Sequence, residues 1–190
     1  ELPLFDYSLY IIKNIDQYKF DARKLPAEMT AAFKRTLYLV SLYKNLYHTA
    51  DDTICNDMIK FILKFVNADN GFGIGRSSLG ETALALQILK LLDYPVKQLR
   101  SDLFIRACET PIYGFANIPG TSLSFLEHFL AGVKASSLVG YRPSYPDQCL
   151  AFILNCQNKT GGFSRTTHGG IATLENTFLA IKSIIILNYL

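Results

Sequence analysis

Phe152-Ile-Leu-Asn-Cys-Gln-Asn-Lys-Thr-Gly-Gly-Phe163 repeats, without a gap, the earlier stretch Phe61-Ile-Leu-Lys-Phe-Val-Asn-Ala-Asp-Asn-Gly-Phe72. Phe61, Ile62, Leu63, Asn67, Gly71 and Phe72 match Phe152, Ile153, Leu154, Asn158, Gly162 and Phe163 at one constant offset. Behind each copy a Thr opens an apolar run, Thr82-Ala-Leu-Ala-Leu-Gln-Ile-Leu89 and Thr177-Phe-Leu-Ala-Ile-Lys-Ser-Ile184. Two matched blocks in the same order mark an internal repeat, and the rest of the chain is read against its period.

Working outward, Met58, Phe61, Ile62, Phe65 and Val66 have the spacing of an amphipathic helix with one buried stripe. The glycine-rich stretch from Asn67 to Gly75 ends it. The run from Ala83 to Leu92 is apolar on every face, so a helix there is buried all round. Asp93-Tyr-Pro95 closes that unit. A third unit follows, with a helix from about Val96 to Cys108, a loop holding Tyr113-Gly-Phe115, and a helix from Leu123 to Val139. Gly140 to Pro146 connects it to the fourth unit.

The first fifty residues read as a degenerate copy. Tyr7, Ile11, Ile12 and Ile15 share one helical face, and a long apolar helix runs from about Thr30 to Tyr47. The expected organisation is one all-α domain of four helix–loop–helix units, 1–48, 49–95, 96–140 and 141–190. Amphipathic and uniformly apolar helices alternate, which suits two concentric layers. No stretch alternates with period two, so sheet content is expected near zero.

The length suits a single domain with a real core. With 49% hydrophobic and 18% charged residues, disorder is excluded. The net charge of +3 is scattered and forms no basic stripe, which argues against a nucleic-acid partner. The longest apolar run, near Ile184 to Leu187, is too short to span a bilayer. No signal peptide is evident, and a chain opening on Glu1 reads as a processed product or a piece of a longer protein. Four cysteines show no Cys-x-x-Cys spacing. Cys149 and Cys156 lie two helical turns apart, about 10 Å, too far for a disulfide. They read as reduced residues packed like small apolar ones, in keeping with a cytoplasmic setting. Asn158-Lys-Thr160 is a sequon, but its place in the repeat makes Asn158 a helix-stop residue.

A helix ending in Cys156-Gln-Asn-x-x-Gly-Gly-Phe163, a polar loop, and then Glu175-Asn-Thr-Phe-Leu-Ala-Ile181 resembles the prenyltransferase and squalene-oxidase repeat. That family includes protein prenyltransferase β subunits and terpene cyclases. The resemblance is strong in the fourth unit, good in the second and weak in the first and third. It implies an α/α toroid whose inner helices surround an apolar funnel that holds an isoprenoid, with the Gly-Phe loops at one rim. Toroids of the family usually have more hairpins than four, so the resemblance also implies an open barrel, half of a barrel completed by a second copy, or part of a longer chain.

The family's chemistry does not carry over residue by residue. The resemblance places a zinc-binding His at Asn176 and an Asp-x-Cys at Gly80-Glu81-Thr82, and neither position matches. Asp147-Gln-Cys149 has the right letters before the wrong class of helix, so Asp147 is expected to cap and Cys149 to pack. Zinc, and any other cofactor, is therefore not expected. Asp51-Asp-Thr53 echoes the end of the cyclase proton-donor motif, but Thr49 stands where the donor belongs, and an N-cap reading is simpler.

What remains is a rim constellation. Arg76 and Arg165 are candidates for gripping a diphosphate, because guanidinium forks match phosphate oxygens. Glu81, His168 and Glu175 are weaker catalytic candidates, and the two carboxylates equally suit helix starts. His48 and His128 read as structural. The sequence thus points to a toroid binding an isoprenoid or other apolar small molecule, its catalysis open, transferase- or cyclase-like if present. The alternative is a non-catalytic scaffold within a larger protein. A thioester-type toroid lacks its Cys-Gly-Glu-Gln motif here.

Overall fold

The computed structural model describes residues 26–46 and 52–190, with side chains at 30–45, 53 and 55–190. In chain order its elements are α1 (Pro26–Leu46), α2 (Asp52–Leu63), α3 (Leu79–Leu91), a 3-10 turn (Val96–Leu99), α4 (Asp102–Ala107), the strands β1 (Glu109–Thr110) and β2 (Gly114–Phe115), α5 (Leu126–Val139), α6 (Pro146–Asn155) and α7 (Leu174–Asn188). The apolar helices stand side by side in sequence order: α1 packs on α3, α3 on α5 and α5 on α7. The shorter helices α2, α4 and α6 cover one side of that row. This is the alternation of amphipathic and all-apolar helices expected from the sequence.

Each outer helix buries a Phe-Ile pair at the same place: Phe61-Ile62 on α2, Phe104-Ile105 on α4 and Phe152-Ile153 on α6. Full burial of one such side chain contributes about 1.5–3 kcal/mol. The third unit is therefore a true copy, although its sequence signal is weak. Phe129 of α5 stacks on Phe152 at 5.8 Å and meets Phe115 edge-on at 5.8 Å, joining the two layers.

The loops repeat in hydrogen bonds what the sequence repeats in letters. The N–H groups of Gly73, Ala116 and Ser164 donate to the carbonyls of Phe65, Cys108 and Cys156 at 3.0, 2.9 and 2.8 Å. Asn67 and Asn158 each send a backbone N–H to the glycine before the aromatic, Gly71 at 2.9 Å and Gly162 at 2.7 Å. The result places Phe72, Phe115 and Phe163 inside the core. A side chain at Gly73 has no room there, since a Cβ would lie 2.1 Å from the Arg76 carbonyl.

Three expectations need correction. The third outer helix is not continuous from Val96 to Cys108: Arg100 adopts a left-handed conformation (φ 54°) and divides it into a 3-10 turn and α4. The next helix starts at Leu126 rather than Leu123, because Phe125 is extended and serves as its N-cap residue. Asp147 sits inside the first turn of α6, behind the N-cap Tyr145, and does not cap it. Sheet is confined to the β1–β2 hairpin and isolated bridges among the described residues. Cys108, Cys149 and Cys156 are buried thiols. Burial pushes the Cys108 and Cys149 thiols up to about 12 and Cys156 to about 11, far from the reactive thiolate range. The reading of Tyr7, Ile11, Ile12 and Ile15 lies outside the described residues, as do Thr49 and Asp51. No described helix is long and apolar enough to cross a membrane.

Candidate ligand-binding face

Leu79, Leu126 and Leu174 are the first residues of α3, α5 and α7, and aligning them sets the three helices in register. A helix turns by about 100° per residue, so each apolar helix has four sides to account for. On α5, Phe129, Gly132 and Ser136 are buried toward the outer helices. Leu126, Leu130 and Val133 are buried on the side of α7. The side opposite the outer helices carries Glu127, Ala131, Lys134 and Leu138, all half-buried.

The same register gives Gly80, Leu84, Gln87 and Leu91 on α3, again half-buried, and Glu175, Leu179, Lys182 and Ile186 on α7. This open face is layered. Gly80, Glu127 and Glu175 form its rim, Leu84, Ala131 and Leu179 an apolar layer, Gln87, Lys134 and Lys182 a polar layer, and Leu91, Leu138 and Ile186 a second apolar layer. A recess of about 300 Å³ opens there, lined by Leu37, Tyr38 and Ser41 of α1, Gln87, Lys90 and Leu91 of α3 and Leu138 of α5. Its lining is mainly apolar with a few polar groups.

The rim residues singled out from sequence are not gathered into one site. Arg76 is exposed in the loop before α3. Arg165 is tied down: its Nε donates to Glu127 Oε1 at 2.7 Å, its Nη2 contacts the same oxygen, and the guanidinium lies 4.0 Å over the Phe125 ring. Burial pushes the Glu127 carboxyl up, but the Arg165 hydrogen bond and charge outweigh it and hold the group below its ordinary value. Arg165 thus clips the fourth loop to the start of α5, and its carbonyl also accepts the Leu126 N–H at 3.1 Å. Asn117 does the same for α3, accepting the Leu79 N–H at 2.7 Å through its carbonyl and the Gly80 N–H at 3.0 Å through its side chain.

Glu81 is tied to the N-cap residue Ser78 through the serine hydroxyl. That hydroxyl accepts the Glu81 N–H at 3.2 Å and donates to Glu81 Oε2 at 2.9 Å. The carboxylate also accepts from Thr30 Oγ1 at 3.5 Å, linking α3 to α1. Burial raises its carboxyl above the ordinary value, against the pull of those two hydroxyls. His168 is exposed in the fourth loop, and Glu175 is exposed in the first turn of α7. His128 stands at the register position of Glu81 and Asn176. Its Nδ1 is buried without a partner among the described residues, and burial lowers its pKa.

Sequence reasoning missed Gln87, Lys134 and Lys182. The signal was present, because aligning the helices by their first residue places the three in one layer. Alignment by the Gly-Phe loops leaves the second unit four residues out of step with the third and fourth.

A model of the prenyltransferase alpha-alpha toroid domain matches residues 27–108 and 121–190. Among solved structures, Candida albicans protein geranylgeranyltransferase-I complexed with GGPP superposes with a TM-score of 0.68 at 21% identity. The match covers 83% of this chain and 49% of that one, so the chain spans about half the length of its structural relative. No curated protein matches the sequence.

Proposed function

The chain belongs to the prenyltransferase alpha-alpha toroid family, and from that premise we propose that its open inner face binds an isoprenoid or another elongated apolar molecule. The observation that carries this reading is the layered face itself. Half-buried apolar side chains recur on α3, α5 and α7 at the same depths, beside a recess of about 300 Å³. Half-buried apolar side chains around a recess gain by covering, at about 25 cal/mol for each Å² removed from water. The fold-level likeness to a GGPP-bound protein supports an isoprenoid as the first ligand to try. Arg165 does not enter this reading, because it is engaged with Glu127.

Thermal melting with and without geranylgeraniol tests it. A ligand at about 100 times its dissociation constant stabilises by roughly 2.7 kcal/mol, a shift of several degrees. The shift is expected in the native chain and lost in Leu91→Arg, which fills the recess with a charged side chain. An unchanged melting temperature counts against ligand binding and favours a second reading, an interaction domain. That reading has its own observation: Leu174, Phe178 and Ile181 form an exposed stripe along α7.

A further inference from the structure

Lys134 and Lys182 hold the same register position on α5 and α7, two helices packed against each other. Both stand on the open face, about 10 Å along the helix axis from the rim carboxylates Glu127 and Glu175. Neither lysine forms an ion pair with any described residue. Ala131 and Leu179 lie toward the rim from them, and Leu138 and Ile186 lie beyond. The half-buried Lys134 and the exposed Lys182 thus share one level of the contact between the two helices, with no ion-pair partner among the described residues. Burial first, and the Lys182 charge second, hold the Lys134 pKa below its ordinary value. An anion seated between the two relieves that repulsion and pairs with both.

The geometry points to Lys134 and Lys182 as the clamp for the head group of a long-chain carboxylic acid, its chain lying along the apolar positions of the open face. This rests on the ligand-binding reading of that face. The head group is a carboxylate rather than a diphosphate for two reasons. Bringing several negative charges between apolar layers costs far more desolvation than bringing one. Two compact ammonium points also match a single carboxylate, and Arg165, the guanidinium at the start of α5, is already engaged with Glu127.

Equilibrium binding of geranylgeranoic acid, geranylgeraniol and geranylgeranyl diphosphate to the full chain separates the possibilities. The acid is expected to bind at least about tenfold tighter than the alcohol of the same chain. In Lys134→Met/Lys182→Met that preference falls to about one while alcohol binding persists. Lys182→Met alone, at an exposed position, shows a partial loss and keeps the test open should the double variant fail to fold. Equal affinity of acid and alcohol overturns the clamp, as does a preference that survives both substitutions. A diphosphate preferred over the acid and lost in the same variants overturns the carboxylate assignment. Failure of all three ligands removes the clamp together with the ligand-binding reading. Binding of the alcohol alone leaves that reading standing and removes only the clamp.

Discussion

The hydroxyl of Thr82 accepts the Phe72 N–H at 2.9 Å and donates to the Ser78 carbonyl at 2.7 Å. Thr177 repeats the pattern with Phe163 at 3.2 Å and Thr173 at 2.8 Å. That is why the sequence repeat pairs a Gly-Phe with a later Thr: the loop aromatic enters the core only if its own backbone donor is satisfied there. Thr82→Val keeps the shape and strands a buried N–H, which costs about 1–3 kcal/mol. Urea denaturation is expected to show that loss, with Thr82→Ser close to native. Thr177→Val is expected to cost less, because Thr177 is only half-buried. These contacts were legible in the sequence because they are local and recur with the same letters. The partner of Arg165 was not, because a loop side chain finds its partner through tertiary packing. Arg165 meets a Glu thirty-eight positions away.

At the scale of elements, α3, α5 and α7 are apolar on nearly every face, so their sequences announce burial but not which side stays open. Only register resolves that. The divided third outer helix was hidden for a related reason. Ser101 is fully buried and Arg100 left-handed, and neither letter signals a break. The clip between the fourth loop and α5 has a pH signature. The Glu127 carboxyl is held below its ordinary value of 4.5, so its contribution is complete above that pH and is lost as pH falls below it. Both partners are more than a third exposed, so the contribution is about 0.5 kcal/mol after solvent screening. Glu127→Gln is expected to lower stability by that amount at neutral pH, with the difference shrinking as pH falls below the ordinary carboxylate value, as followed by denaturant midpoints.

For the whole molecule, the row of apolar helices has a direction. Leu79 and Leu126, the first residues of α3 and α5, are 0% exposed, covered by the unit that follows each. Leu174 is 88% exposed at the same position of α7. Phe178 and Ile181 are likewise bare where Leu130 and Val133 of α5, and Ala83 and Leu86 of α3, are buried. The helical-hairpin repeat was legible in the sequence, and the toroid followed from the family resemblance its residues carry. The layered inner face was not, because it belongs to no single unit.

The chain contains no Trp, so Leu138→Trp places its only indole against the recess between α1, α3 and α5. Titrating that variant with geranylgeraniol while following indole emission tests the inner face directly. The account predicts a saturable shift of the emission to shorter wavelength as the ligand covers the ring and excludes water. Emission that stays unchanged through the titration would contradict it.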